Sequence, residues 1–414
     1  MLRIIHTADW HLGHHLHGVS RNYEQQQFLD WLLLQLEQQH ADVLIVAGDI
    51  FDTANPSAAA QSQLYDFLVK ARAANPVIDI ILIGGNHDSA ARLDAPSALL
   101  KALGISVVGG LSKNATGEID WQRLLIPLSN QRQEIKAWCA AMPFLRHADL
   151  PDQQDATDPL VAGVKTLYTE LIQQVKQQAG ADTPLLLTGH CYMVGGHLSE
   201  LSERKILGGN QHALPVDIFP DDISYTALGH LHRAQSVGKD ESIRYSGSPI
   251  PLSFDEQLYQ HQVLQVDLQA DKSVKTTPLI VPRSVKMIRI PNGQDYCSLA
   301  EALEKIQELQ LNTALVDYQQ PVLEIRIALD KPEPGLRQQI EHCLEGLPLR
   351  LLKISIAYTG TGKGLADVVK EERLEELLPE HVFQRCYQSK YNTQVPDDIT
   401  VLFHELQENL QEVE

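Results

Sequence analysis

Up to about residue 275 the chain alternates short apolar runs with longer amphipathic stretches. That is the pattern of an α/β or layered αββα domain, in which each sheet buries its faces against another layer. Strands are predicted at Leu2–His6, Val43–Ala47, Ile78–Ile83, Leu185–Thr188 and Tyr225–Leu228. Between the first two, the stretch Tyr23–His40 sets Phe28, Leu29, Leu32, Leu33 and Leu36 on one side of a helix.

A smaller unit follows, with the order β-α-β-α-β. Val285–Pro291 reads as a strand, Ser298–Leu311 as a helix opened by a serine cap, and Val322–Leu329 as a strand of alternating Leu323, Ile325, Ile327 and Leu329. Gly335–Leu347 is then helical and Leu349–Tyr358 extended. The segment TGTGKG (359–364) invites comparison with a phosphate-binding loop, but Lys363 is followed by Gly364 rather than Ser or Thr, so it reads as a hinge. The acid-rich residues 366–414 read as two or three helices. Pro396-Asp397-Asp398 is a helix start, with its carboxylates at the positive end of the dipole. Ile399, Leu402, Phe403, Leu406 and Leu410 form an apolar stripe that either docks on the body or meets a partner. The expected divisions are 1–280, 281–360 and 365–414.

Composition narrows the class. With 414 residues, 43% apolar and 21% charged, the chain is an ordinary globular protein. It has no apolar run of membrane-spanning length and no signal-peptide pattern in MLRIIHTADWH, so a cytoplasmic location is expected. Cys139, Cys191, Cys297, Cys343 and Cys386 are scattered and show no CxxC spacing, as reduced thiols would be. The net charge of −19 argues against coating nucleic acid through an overall field. Ligand carboxylates neutralised by metal, a local basic patch or a partner would temper that.

Five short motifs lie just past predicted strands: Asp9-x-His11, Gly48-Asp49, Gly85-Asn86-His87-Asp88, Gly189-His190 and Gly229-His230-x-His232. The carboxyl ends of parallel strands open on a common crevice, so motifs far apart in sequence can converge there. Carboxylate, imidazole and amide oxygen without thiolate suit Mn²⁺, Fe²⁺ or Zn²⁺. A bridging carboxylate can hold two ions roughly 3.5–4 Å apart to clamp a phosphoryl group. Glycine before Asp49, Asn86, His190 and His230 is expected to let the backbone turn sharply off each strand. Singly, a DxH or GH pair is more often a turn or a core histidine; the ordered set is specific.

That ordered set resembles the calcineurin-like metallophosphoesterases. Within them, HTADWHLG (6–13), VAGDIFDT (46–53), GGNHDS (84–89), MPFLR (142–146), LGHLHRAQ (228–235) and GSPIPLSFDE (247–256) are similar to the SbcD family of bacterial nuclease subunits. The resemblance implies a four-layer αββα sandwich over residues 1–280, a small α+β capping domain and C-terminal helices. It also implies one metal on Asp9, His11 and His232, another on Asn86, His190 and His230, and Asp49 as the bridge. His87 would protonate the leaving oxygen or stabilise the phosphorane, with Asp88 beside it as orienter. Asp52 stands where archaeal relatives carry a histidine, and reads equally as a ligand-supporting group or a turn residue.

Residues 191–212, with Arg204 and Lys205, and Arg233 beside His232, are candidate contacts to a DNA backbone. Trp10 is expected to pack beneath the site, base stacking being the alternative. His14, His15 and His17 read as exposed loop histidines that could also feel the metals or line a DNA path. The resemblance further implies two Mn²⁺ ions, no ATP site in this chain, and an SbcC-type ATPase whose coiled coil is gripped by the C-terminal helices. Two nuclease subunits per assembly, action on double-stranded ends and hairpins, and a nucleoid-associated cytoplasmic role complete the expectation. The alternatives are a metallophosphatase for small or protein substrates and a non-catalytic structural subunit.

Overall fold

Alternation along the central strands sorts their side chains into two cores. Ile4, Val43, Ile45, Ala47, Ile81 and Ile83 face a second sheet through Cys139, Leu186, Ala227 and Leu228. Ile5, Leu44, Val46, Ile80 and Leu82 face the opposite way, against Phe28, Leu29, Leu32, Leu64, Phe67 and Leu68. The last six lie on the helices Asn22–Gln38 and Ala58–Ala74. A strand buried on both faces is apolar at nearly every position, which is why these strands read as near-continuous runs.

The computed structural model describes residues 1–359 apart from 115, 154–155, 181, 195–212, 221, 239 and 332, with scattered positions between 383 and 399. One sheet runs Val274–Ile280, Gln262–Leu268, Leu2–Thr7, Val43–Ala47, Asp79–Ile83, Ile105–Val108. Its last four strands are parallel and the first two antiparallel. The other runs Gln235–Val237, Asp240–Tyr245, Tyr225–Gly229, Leu185–His190, Ile135–Ala140, Leu125–Ser129. Its four inner strands are parallel, with an antiparallel strand at each edge. The helix Pro159–Ala179, started by the Asp158 cap, buries Val164, Leu167, Tyr168, Leu171, Ile172 and Val175 against the second sheet. The layers are therefore helix, sheet, sheet, helix, as expected.

The smaller sheet contains Met287–Ile290, Val322–Leu329 and Arg350–Tyr358, with helices Leu299–Gln307 and Leu336–Leu344. Ser298 and Glu301 form the reciprocal cap at the first of these helices. Arg289 ties this unit to the loop before it: its guanidinium donates to Asp255 at 2.8 Å and to buried Glu324 at 2.6 Å. Phe254, Val285, Met287, Val322 and Leu16 make a small shared core. By contacts, Met1–Ala328 and Pro334–Ala357 form one compact unit, and Leu329–Glu333 with Tyr358–Glu414 another. The predicted 366–390 helices and the Ile399–Leu410 stripe lie almost wholly outside the described residues, as do residues 360–364 of the hinge. Among the described residues, no helix is long and apolar enough to cross a membrane.

His6 joins the two large sheets inside the core. Its Nδ1 accepts from the Tyr225 hydroxyl at 2.9 Å and its Nε2 donates to the Leu228 carbonyl at 3.2 Å. Burial pushes its pKa down to about 3. Above pH 6.5 the ring is neutral folded or unfolded; between 6.5 and about 3 only the unfolded chain takes the proton. Stability should therefore drop as pH is lowered across that window, at up to about 1.4 kcal/mol per pH unit from this group. Urea unfolding of the metal-free chain should show a shallower acid slope in His6→Gln than in the unmodified protein; parallel slopes would refute the assignment.

Candidate metal centre

The predicted ligands come together at the carboxyl ends of strands from both large sheets. Asp9 and His11 follow Leu2–Thr7, Asp49 follows Val43–Ala47, and Asn86 follows Asp79–Ile83, all in the first sheet. In the second, His190 ends Leu185–His190, and His230 and His232 follow Tyr225–Gly229. Backbone pairing continues past the strands: Asp9 N donates to Gly48 O, His11 N to Asp49 O and Leu12 N to Ile50 O.

The turns are made differently from the expectation. Asp9, His11, Asp49 and His230 themselves hold positive φ, at 55°, 45°, 47° and 102°. Of the glycines preceding ligands only Gly48 does, at 92°. Left-handed backbone at these non-glycine positions is costly, and such strain clusters at functional sites. Gly85 and Gly229 serve close approach instead: a Cβ would lie 2.2 Å from Asp49 N in the first and 1.9 Å from Ala47 O in the second.

Among the described residues three groups of donors form, one of them His11 with Asp52 and His87 and the other two built from the expected ligands. Asp9, His11 and His232 offer ligand atoms within 4.8 Å of one another, and so do Asp49, His190 and His230. Asn86 Oδ1 closes the second group, 3.0 Å from His190 Nε2 and 3.1 Å from His230 Nδ1. Asp49 Oδ2 reaches both, 3.3 Å from His190 Nε2 and 3.6 Å from His11 Nε2. The outer atoms are already committed. Asp9 Oδ1 accepts from His230 N at 2.9 Å and Asp49 Oδ1 from His87 N at 2.8 Å. His190 Nδ1 donates to Ala47 O at 2.9 Å and His232 Nδ1 to Glu256 at 2.8 Å.

These residues fit a pair of cations. Asp9 Oδ2 and His11 Nε2 are buried with no hydrogen-bond partner, an arrangement proteins avoid unless another group binds there. Burial drives Asp9 up to about 6, against the pull of His190 and His232. His190 is held up to about 9: burial opposes its charge, but Asp49 and Asp9 outweigh it. Without metal, a proton on His190 thus reconciles Asn86 Oδ1 and Asp49 Oδ2 facing its Nε2; a divalent ion does so more completely.

The surrounding residues depart from expectation in several places. Asp88 supports the loops rather than the His87 ring: it accepts from Ile50 N, Phe51 N and Gly85 N at 3.1, 2.9 and 2.9 Å, pinning the Asp49 turn to the Asn86 turn. The ring is oriented by Asp52, whose carbonyl accepts from His87 Nδ1 at 2.7 Å. Asp52's carboxylate meets Nδ1 of the expected ligand His11 at 3.2 Å, a contact that a plain turn residue would not make. Trp10 is buried edge-on to Phe28 and Phe67, with Nε1 on Thr7, and cannot stack on a base. His15 is exposed, His17 stacks on Phe254, and His14 is tied down on both sides. Arg233 is exposed, over the Tyr259 ring at 5.8 Å. Arg204 and Lys205 lie outside the described residues. Glu256, fully buried, was not singled out by the sequence: an acid 24 positions past its histidine carries no spacing signal.

Residues 2–234 match the family model described as calcineurin-like phosphoesterase, and residues 283–391 the one described as type 5 capsule protein repressor C-terminal domain. The fold and site thus define a calcineurin-like phosphoesterase, a fold class that implies divalent metals. The chain is 39% identical to the SbcD component of nuclease SbcCD from Rhodobacter capsulatus, over 93% of this chain and 94% of that one. With the Escherichia coli K12 protein of the same name it shares 32% over 93% and 92%, and with that of Bacillus subtilis 29% over 99% of each. The chain belongs to this SbcD family of nuclease components.

Glu256 makes with the candidate ligand His232 the carboxylate–imidazole contact that would set its tautomer and basicity. Glu256→Gln should weaken Mn²⁺ binding about 10–100-fold by calorimetric titration. Unchanged affinity would reduce Glu256 to a structural anchor.

Proposed function

We propose that this chain is the nuclease subunit of an SbcCD-type complex, hydrolysing DNA phosphodiesters with two Mn²⁺ ions. The observation that carries the reading is the pair of buried donor groups sharing Asp49, set in a chain whose family relatives are named as parts of a nuclease. Asp9, His11 and His232 would hold one ion, Asn86, His190 and His230 the other, and Asp49 both. When bound, such a pair supplies Lewis acidity toward water and neutralises charge developing on the phosphoryl oxygens.

The chain's own groups do the rest. Asp9 and Asp49 each commit one carboxylate oxygen to a backbone N–H and keep the other inward, so the ligand atoms need no rearrangement when charge develops. His87 lies edge-on to His11 at 4.7 Å between ring centroids. With its Nδ1 turned to the Asp52 carbonyl, its Nε2 is the nitrogen that would pass a proton to the leaving oxygen. Residues 1–280 make the catalytic domain and 281–360 a cap that Arg289 fastens to the Asp255–Glu256 turn. An SbcC-type ATPase would bind through residues 365–414 and bring DNA ends or hairpins to an acidic subunit, in a cytoplasmic, nucleoid-associated assembly with two copies of this chain.

With Mn²⁺ and the ATPase partner, the chain should degrade linear duplex DNA and open hairpins. His87→Ala should cut the rate about 10²–10⁴-fold while two ions remain bound, as measured by metal analysis beside the cleavage assay. Undiminished cleavage removes His87 from the reaction. Activity on phosphomonoesters or phosphopeptides far above that on DNA would instead make the chain a phosphatase.

A further inference from the structure

We propose that His14 is a positioning residue that couples the outer hydrogen-bond partners of His11 and His232, so that the two imidazoles of one metal position are set together. The inference rests on the ligand assignment given above. It extends that assignment to a residue outside the five motifs.

The connection is continuous. His11 Nδ1 meets Asp52 Oδ1 at 3.2 Å, and His14 Nδ1 meets the same oxygen at 3.0 Å. The other ring nitrogen of His14 lies 3.1 Å from the Leu252 carbonyl. Leu252 N in turn donates to Glu256 Oε2 at 2.8 Å, and Glu256 Oε1 holds His232 Nδ1 at 2.8 Å. An unbroken line of contacts thus runs from the back of one ligand to the back of the other. It joins loops 238 positions apart in the chain, and the His14 side chain spans the gap between them.

The bridge is held in place by the backbone. His14 N donates to His11 O, and Arg21 N donates to His14 O. Gln25 fixes the same turn, accepting from Gly13 N and donating to His11 O. The His14 side chain is 18% exposed and Asp52 25%, so the central links sit at the edge of solvent while both ligands are buried. Asp52 also holds His87 through its carbonyl. Arg21 also ties this turn to the Pro251 carbonyl at 2.7 Å, but it is His14 that joins Asp52 to Leu252, so its release would uncouple the partners of the two ligands while the loops stay attached.

The test uses the full chain, stripped of metal and titrated with cobalt(II) alone. Two stepwise dissociation constants and the visible ligand-field spectrum are read for the unmodified protein, His14→Ala and His14→Gln. His14→Ala should weaken one constant about 10–100-fold, leave the other within error, and alter the cobalt spectrum. His14→Gln keeps amide donors near the same acceptors and should recover part of the loss. Identical constants and spectra in His14→Ala overturn the inference. So does a lowered melting temperature with an unchanged cobalt spectrum, which would make His14 a loop anchor only. Fewer than two cobalt ions on the unmodified chain would overturn the ligand assignment itself, and the bridge with it. That failure shows before any variant is compared.

Discussion

Asp9 and Asp49 are buried carboxylates at the ends of neighbouring strands, and the cost of burying their charge governs what surrounds them. A carboxylate taken out of water must be paired, protonated or bound to a metal. Here each has one oxygen satisfied by a backbone N–H, while the other is turned toward imidazoles. Histidines from three turns supply nitrogen without adding permanent positive charge. The strained backbone at Asp9, His11, Asp49 and His230 is sustained by the strands beneath, whose hydrogen bonding runs on into the turns.

The double sheet is the device that meets this constraint. One sheet presents Asp9, His11, Asp49 and Asn86, and the other His190, His230 and His232. Their alignment depends on the apolar layer between the sheets and on His6, which bonds to Tyr225 and Leu228 across it. Around the ligands, Asp52, Asp88 and Glu256 connect turns that are distant in sequence. Through Asp255 and Arg289 the same Glu256 turn also touches the small α+β unit. That unit is therefore continuous with the surroundings of the candidate site.

Much of this was legible in the sequence because the strands are buried on both faces. Val43–Ala47 and Val322–Leu329 begin and end where their apolar patterns do. The convergence of the candidate donors was legible for a related reason: each ends or shortly follows a strand, at a spacing that its turn fixes. Edge strands were harder. Leu125–Ser129 and Val274–Ile280 carry Pro127 and Pro278, which a strand tolerates where one side lacks a hydrogen-bonding neighbour. The supporting residues were the least legible. Glu256 closes the GSPIPLSFDE segment, but nothing there names its partner, and nothing local distinguishes His14 from its exposed neighbour His15, because their partners come from loops joined only in three dimensions. Asp88 was misassigned to His87 by adjacency, whereas its oxygens reach backbone donors on two turns.

The central claim is that Asp49 is shared by two ions. Electron paramagnetic resonance of the Mn²⁺-loaded chain, recorded with metal content on the same sample, addresses it most directly. Two ions per chain with the signal of an exchange-coupled pair are predicted, collapsing to isolated-ion spectra in Asp49→Asn. A single ion, or two ions whose spectra show no coupling in the unmodified chain, would contradict the account.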